Sequence, residues 1–154
     1  MEEFKRKQKV NDMPEKSYFI QGPIKPQFIA EQIEMHNTKH NIGSHSIFLG
    51  QVRADEVDNK KVTGIEYSTY EDMADKEIAK VRENAFEKWP LSCLHIYHSN
   101  GRVKVGEISL FILVSAGHRT ECLEAVQQIV EDIKHKVPVW KKEIMEDGSV
   151  RWVE

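Results

Sequence analysis

The sequence predicts an α+β fold, and three observations lead there. Apolar residues recur at helical spacing in three separate stretches and at strand spacing in several others. The elements run strand, helix, two strands, helix, three strands, helix, two strands, which is not the strict alternation of a doubly wound sheet. Turn signals at Asn100-Gly101 and Asp147-Gly148 mark places where neighbouring strands reverse.

Each element has its own reason. Residues 1–16 are polar, charged and without period, and are expected to form a flexible tail; 17–154 are expected to form one domain. Ser17-Tyr18-Phe19-Ile20 reads as a short strand closed by Gly22-Pro23. From Pro26, the residues Phe28, Ile29, Ile33 and Met35 fall near helical spacing, so a helix is expected to about His36. Ser44 to Arg53 has apolar residues on both parities and reads as a strand buried on both faces. After a charged loop, Ala54 to Lys61, the alternating stretch Val62 to Tyr70 reads as its hairpin partner.

Glu71 to Trp89 is an amphipathic helix with Ile78, Val81, Ala85 and Trp89 on its stripe, stopped by Pro90. Cys93 to His98 and Arg102 to Val105 read as separate strands about the turn at Asn100-Gly101. Gly106 to Ser115 is the most apolar strand and is expected near the sheet centre. The last helix opens at His118 or Thr120. Its stripe is Leu123, Val126, Val130, Ile133 and Val137, and Pro138 pushes Val137 out of the helical region. Val139 to Met145 and Ser149 to Val153 form a hairpin about Asp147-Gly148.

Composition narrows the function. Hydrophobic residues make up 40% and charged residues 31%, with a formal net charge of -3, as in a soluble globular protein. Mild acidity argues against general nucleic-acid binding. No apolar run approaches the ~20 residues that span a bilayer, and Met1 to Lys7 lacks the apolar core of a signal peptide. Cys93 and Cys122 lack metal-type spacing and read as small core residues, so a cytoplasmic location is expected. His95 and His98, three apart in a strand, point to opposite faces and make a poor metal pair.

Against that acidic background, Lys134-His135-Lys136-Val137-Pro138-Val139-Trp140-Lys141-Lys142-Glu143 is a local excess of positive charge. The negative end of a helix dipole accounts for Lys134 and Lys136. It does not account for the two lysines beyond the proline. Lys134 and Lys141 bracket an apolar plug, and burial beside a second cation lowers a lysine pKa toward a catalytic range. The alternative is two solvated surface lysines. Gly117-His118-Arg119 lies between a buried strand and a helix start, where free N–H groups and a guanidinium suit an anion; alternatively His118 only caps the helix. Arg53 closes a strand as a positioned cation would, or pairs with an acid in the following loop.

These residues carry a resemblance. Ile47-Phe48-Leu49-Gly50-Gln51-Val52-Arg53 resembles an early strand of the molybdopterin synthase catalytic (large) subunit family. The block Glu66-Tyr67 to Tyr70 with Met73-Ala74 and Lys76, the Gly117-His118-Arg119 helix start, and Lys134 with Val137-Pro138-Val139-Trp140-Lys141-Lys142-Glu143 follow in the family's order. His98-Ser99-Asn100-Gly101 departs from it by lacking the arginine that commonly follows the histidine.

The resemblance implies an α/β hammerhead-like domain with an added antiparallel β-sheet. It also implies a sulfurtransferase that converts cyclic pyranopterin monophosphate to molybdopterin. Two sulfurs would come from a small ubiquitin-like sulfur-carrier subunit bearing a C-terminal glycine thiocarboxylate. The assembly implied is a heterotetramer with a dimer of this subunit at its centre. Carried over by position, Lys134 and Lys141 are catalytic and also touch substrate. Arg53, His118, Arg119 and Lys142 bind the phosphate or pterin; Gln51, Val52 and Glu143 line the pocket, and Phe48 walls it. No metal, cofactor, nucleic acid or membrane is expected. A non-enzymatic module that grips a ubiquitin-like tail is the alternative.

Overall fold

The computed structural model describes residues 17–153, so the expected tail at 1–16 lies outside them. The chain runs β1 (Phe19–Gln21), α1 (Pro26–Glu34), β2 (Ser44–Gln51), β3 (Glu56–Val57), β4 (Lys60–Ser68), α2 (Glu71–Lys88), β5 (Leu91–Lys104), β6 (Ile108–Ala116), α3 (Arg119–Lys136), β7 (Trp140–Met145) and β8 (Val150–Val153). This is an α+β architecture on one large sheet, ordered β2-β6-β5-β4-β7-β8. Neighbours on that path are antiparallel, while β1 joins β5 in parallel, Phe19 opposite His98.

β5 ties the sheet together. Its first part, Leu91 to His98, pairs with β6, and its last part, Gly101 to Lys104, pairs with β4. Asn100-Gly101 is therefore not a turn between two strands. Gly101 adopts φ +84° inside one continuous strand, which glycine does without strain. The chain bends there instead of reversing.

Helices α2 and α3 cover one face of the β2-β6-β5 part, and α1 covers the other face at β5 and β6. Leu94, Ile96, Leu110, Ile112 and Val114 point to α2 and α3, meeting Ala74, Ile78, Val81 and Ala85 of α2 and Cys122, Ala125, Ile129 and Ile133 of α3. The alternate residues Phe111 and Leu113 face the other way, against Ile24, Ile29 and Phe28 at α1.

Several expectations change on folding. β2 is not buried on both faces: it is the sheet's edge strand, and Ile47 and Leu49 are 40% and 42% exposed. β4 does not pair with β2 but with β5 and β7. Its hairpin partner is the short β3, turned at Asp58-Asn59, both at positive φ as a tight two-residue turn requires. On α3 the buried stripe is Cys122, Ala125, Ile129 and Ile133, and Leu123 is exposed. Its first two members, Cys122 and Ala125, are small, and Ile129 and Ile133 fill the space further along.

Candidate functional site

Helix α3 ends where the sequence requires. Val137, before Pro138, is extended at φ -88° and ψ 123°. The chain then turns into β7, whose Lys141 pairs in register with Tyr67 of β4. Lys134, on the last turn of α3, and Lys141, on the second residue of β7, are thereby brought into one electrostatic neighbourhood. Lys141 is half-buried; burial lowers its pKa, and the Lys134 charge lowers it further.

Beside them lies His98 of β5, 7% exposed. Its pKa is pushed down to about 4, first by burial, with the Ser99 carbonyl opposing and the Lys141 and Lys134 charges adding to the fall. Its Nδ1 is 2.7 Å from the Ser99 carbonyl oxygen. That oxygen only accepts, so the proton sits on Nδ1 and the lone pair on Nε2. The ring stands edge-on to Tyr67, centroids 5.2 Å apart. The Tyr67 hydroxyl donates to Ser109 Oγ at 3.0 Å, and burial raises the phenol's pKa. Val52 shares a buried apolar cluster with this tyrosine and Val103, and Val139 packs against that cluster. The lysines thus sit against a wall built from β4, β5, β6 and the end of β2.

The other expected residues divide. Val52 is buried in that wall, and Gln51 lies exposed beside a register shift at Gly50/Gln51. Arg53 follows, its guanidinium held to Asp55 at 3.3 Å in a solvent-exposed pair. This is the loop salt bridge, a contact of a kind worth little and readily exchanged for a ligand. Glu143 shares the Lys141 face of β7 and is buried, receiving Arg151 Nε of β8 at 3.0 Å. Lys142 takes the opposite face, with Nζ 5.1 Å from the centre of the Trp152 ring. Phe48 packs half-buried against the core under α2 and α3.

His118 and Arg119 do not join the lysines. They lie exposed at the start of α3, and Lys134 lies near its end. At ~1.5 Å per residue the helix separates Arg119 from Lys134 by about 22 Å. Within a single chain, the length of α3 therefore keeps His118 and Arg119 apart from Lys134.

Ser109 enters from the structure, as do the places of His98 and Tyr67 in the site, which the sequence supplied only as parts of the family resemblance. The sequence placed His98 on a strand but gave no sign that β1 and β4 would bury it. An ammonium with a lowered pKa, a second ammonium and a neutral imidazole can hold an anion and exchange protons with it. Among the described residues, the His, Cys and acidic side chains near enough to share a metal ion lie elsewhere.

Comparison with known proteins supplies the family. The family described as "MoaE protein" matches residues 21–136. A molybdopterin synthase catalytic subunit of Bos taurus is 35% identical over 143 residues, covering 93% of this chain and 75% of that protein. One of Pyrococcus abyssi is 41% identical over 112 residues, covering 73% and 74%. One of Drosophila grimshawi is 41% identical over 136 residues, but this chain spans only 37% of its length. The crystal structure of molybdopterin synthase from Staphylococcus aureus superposes with a TM-score of 0.79 at 32% identity, covering 92% of this chain and 98% of that one. A complex of subunits 1 and 2 of molybdopterin-converting factor from Helicobacter pylori shares the fold, with a TM-score of 0.75 at 24% identity over 88% of each chain.

Proposed function

The chain belongs to the MoaE protein family, and from that premise we propose that it is the catalytic subunit of a molybdopterin synthase, an enzyme of molybdenum cofactor biosynthesis. Its substrate is cyclic pyranopterin monophosphate, and two sulfurs are added to form the dithiolene of molybdopterin. Sulfur arrives on the C-terminal thiocarboxylate of a small ubiquitin-like subunit. The observation that carries this proposal is the half-buried Lys141, depressed in pKa beside Lys134 and the neutral His98.

Phosphate and thiocarboxylate are both anions, and a cationic recess partly shielded from water attracts and orients them. Lys141 is the side chain suited to exchange protons with the reacting centre, because burial and Lys134 disfavour its charged form. Lys134, exposed on α3, supplies charge for the incoming anion and for oxygen that leaves. Arg53, Gln51 and Val52 edge the recess, and Glu143 fixes the floor of β7 through Arg151. His118 and Arg119 serve the recess of a second copy in a central dimer, since α3 keeps them from their own. No helix among the described residues is long and apolar enough to cross a membrane, and the buried, unpaired cysteines suit a reducing cytoplasm.

The test mixes the protein with the thiocarboxylated small subunit and the cyclic pterin, and measures dithiolene product. Lys134→Ala and Lys141→Ala should each lower turnover by about 100-fold or more, the range of a lost general acid–base. Wild-type turnover in both would remove the site. Tail binding without loss of pterin would reduce the protein to a docking module.

A further inference from the structure

A second cluster of reactive side chains lies on the α1 side of the sheet, the side to which Phe111 and Leu113 point. Cys93 and His95 are two residues apart on β5 and share that face. Their cross-strand partners on β6 are Ser115 and Leu113. The segment after α1 folds back over them and brings His36, which is 5% exposed. The Nε2 atoms of His36 and His95 are 3.0 Å apart. Ligand atoms of His36, Cys93 and His95 all fall within 4.8 Å of one another.

We propose that His36, Cys93 and His95 form a binding site for one divalent transition-metal ion of the zinc class. Two imidazoles and a thiolate are a donor set that such ions prefer over Mg²⁺ or Ca²⁺. His36 is already set for the task. Its Nδ1 lies 2.6 Å from the Gln32 carbonyl oxygen, which can only accept, so Nδ1 carries the proton and Nε2 presents its lone pair to the cluster. A carbonyl behind a histidine in this way is the usual outer support of a metal-bound imidazole.

Lys39 Nζ, at 2.9 Å, donates to Cys93 Sγ, so a positive group is already held against the sulfur. Lys39 is an exposed residue on a long stem and can swing outward as a metal ion takes its place. On binding, the thiol proton passes to solvent, the hydrogen that His95 Nε2 donates to His36 Nε2 moves to the other His95 ring nitrogen, and a fourth position remains for water. The ion would clip the end of α1 and the connector to β2 onto β5, remote in sequence from the lysines of the recess.

The experiment uses the full chain without an affinity tag, stripped of metal and titrated first with Co²⁺ and then with Zn²⁺. One Co²⁺ per chain should bind and give a thiolate-to-cobalt charge-transfer band, and one Zn²⁺ should abolish that band. Cys93→Ser and His36→Gln should each weaken binding by more than about 100-fold, beyond the roughly 10–100-fold of an outer-support change. Circular dichroism of the metal-free variants tests that they remain folded. Substoichiometric binding by the wild-type chain, or stoichiometric binding without a sulfur band, would overturn the site whether or not the variants fold. Unchanged affinity in a folded His36→Gln would do the same.

Discussion

Lys141 illustrates how a side chain can serve activity at the expense of stability. Its pKa is lowered in the folded chain, so the unfolded chain holds more protons between that lowered value and the ordinary lysine range. Stability therefore rises with pH across that window, and the ammonium is a burden below it. Lys141→Met should raise the melting temperature at neutral pH while abolishing turnover; calorimetry and the product assay together check both halves. His98 works in the same sense at lower pH. With a pKa of about 4 against 6.5 when free, it leaves stability intact above pH 6.5 and withdraws it as pH falls toward 4. The full effect is about 3 kcal/mol. Urea midpoints at pH 7.5 and 4.5 should therefore differ less in His98→Asn than in the wild type. The lysines were legible in the sequence because their charge stands out and Pro138 fixes the turn between them. His98 was not, because its neutrality depends on burial by strands distant in the chain. The His36–His95 contact was hidden for the same reason: 59 residues separate two histidines whose Nε2 atoms are 3.0 Å apart.

Among the elements, the helix boundaries were the most legible, since Pro26, Pro90 and Pro138 act locally. Strand partners were not. Apolar residues on both parities of β2 suggested burial on both faces, yet its edge position leaves Ile47 and Leu49 open on the α1 side. The order of strands in the sheet is a long-range property that alternation does not encode. One glycine links two elements that matter to the anion end of α3. A Cβ on Gly43, just before β2, would run into the Gly117 carbonyl oxygen, just before His118. Gly43→Ala should cost about 1–3 kcal/mol, as overpacking does, and lower the urea midpoint accordingly. Turnover should fall more than stability alone explains, since His118 and Arg119 would move with the displaced loop.

For the molecule as a whole, the decisive dimension is the length of α3. It separates a histidine–arginine end from a lysine end by more than one substrate can bridge. If paired copies complete each other, a dimer of Lys134→Ala and His118→Ala chains should regain turnover that neither homodimer has. One of its two recesses would then hold every wild-type group. Co-expression with two different tags, followed by the product assay on the doubly tagged species, checks this; no recovery would place the His118 end outside the reaction. A last consequence comes from β5. Leu91–Lys104 is one uninterrupted backbone bonded to β6 at one end and β4 at the other. It spans both halves like a plank across two supports, with His98 close to midspan. The C-terminal hairpin is bonded to β4, and β4 to this plank, so a load on that hairpin reaches the imidazole through one continuous run of backbone hydrogen bonds.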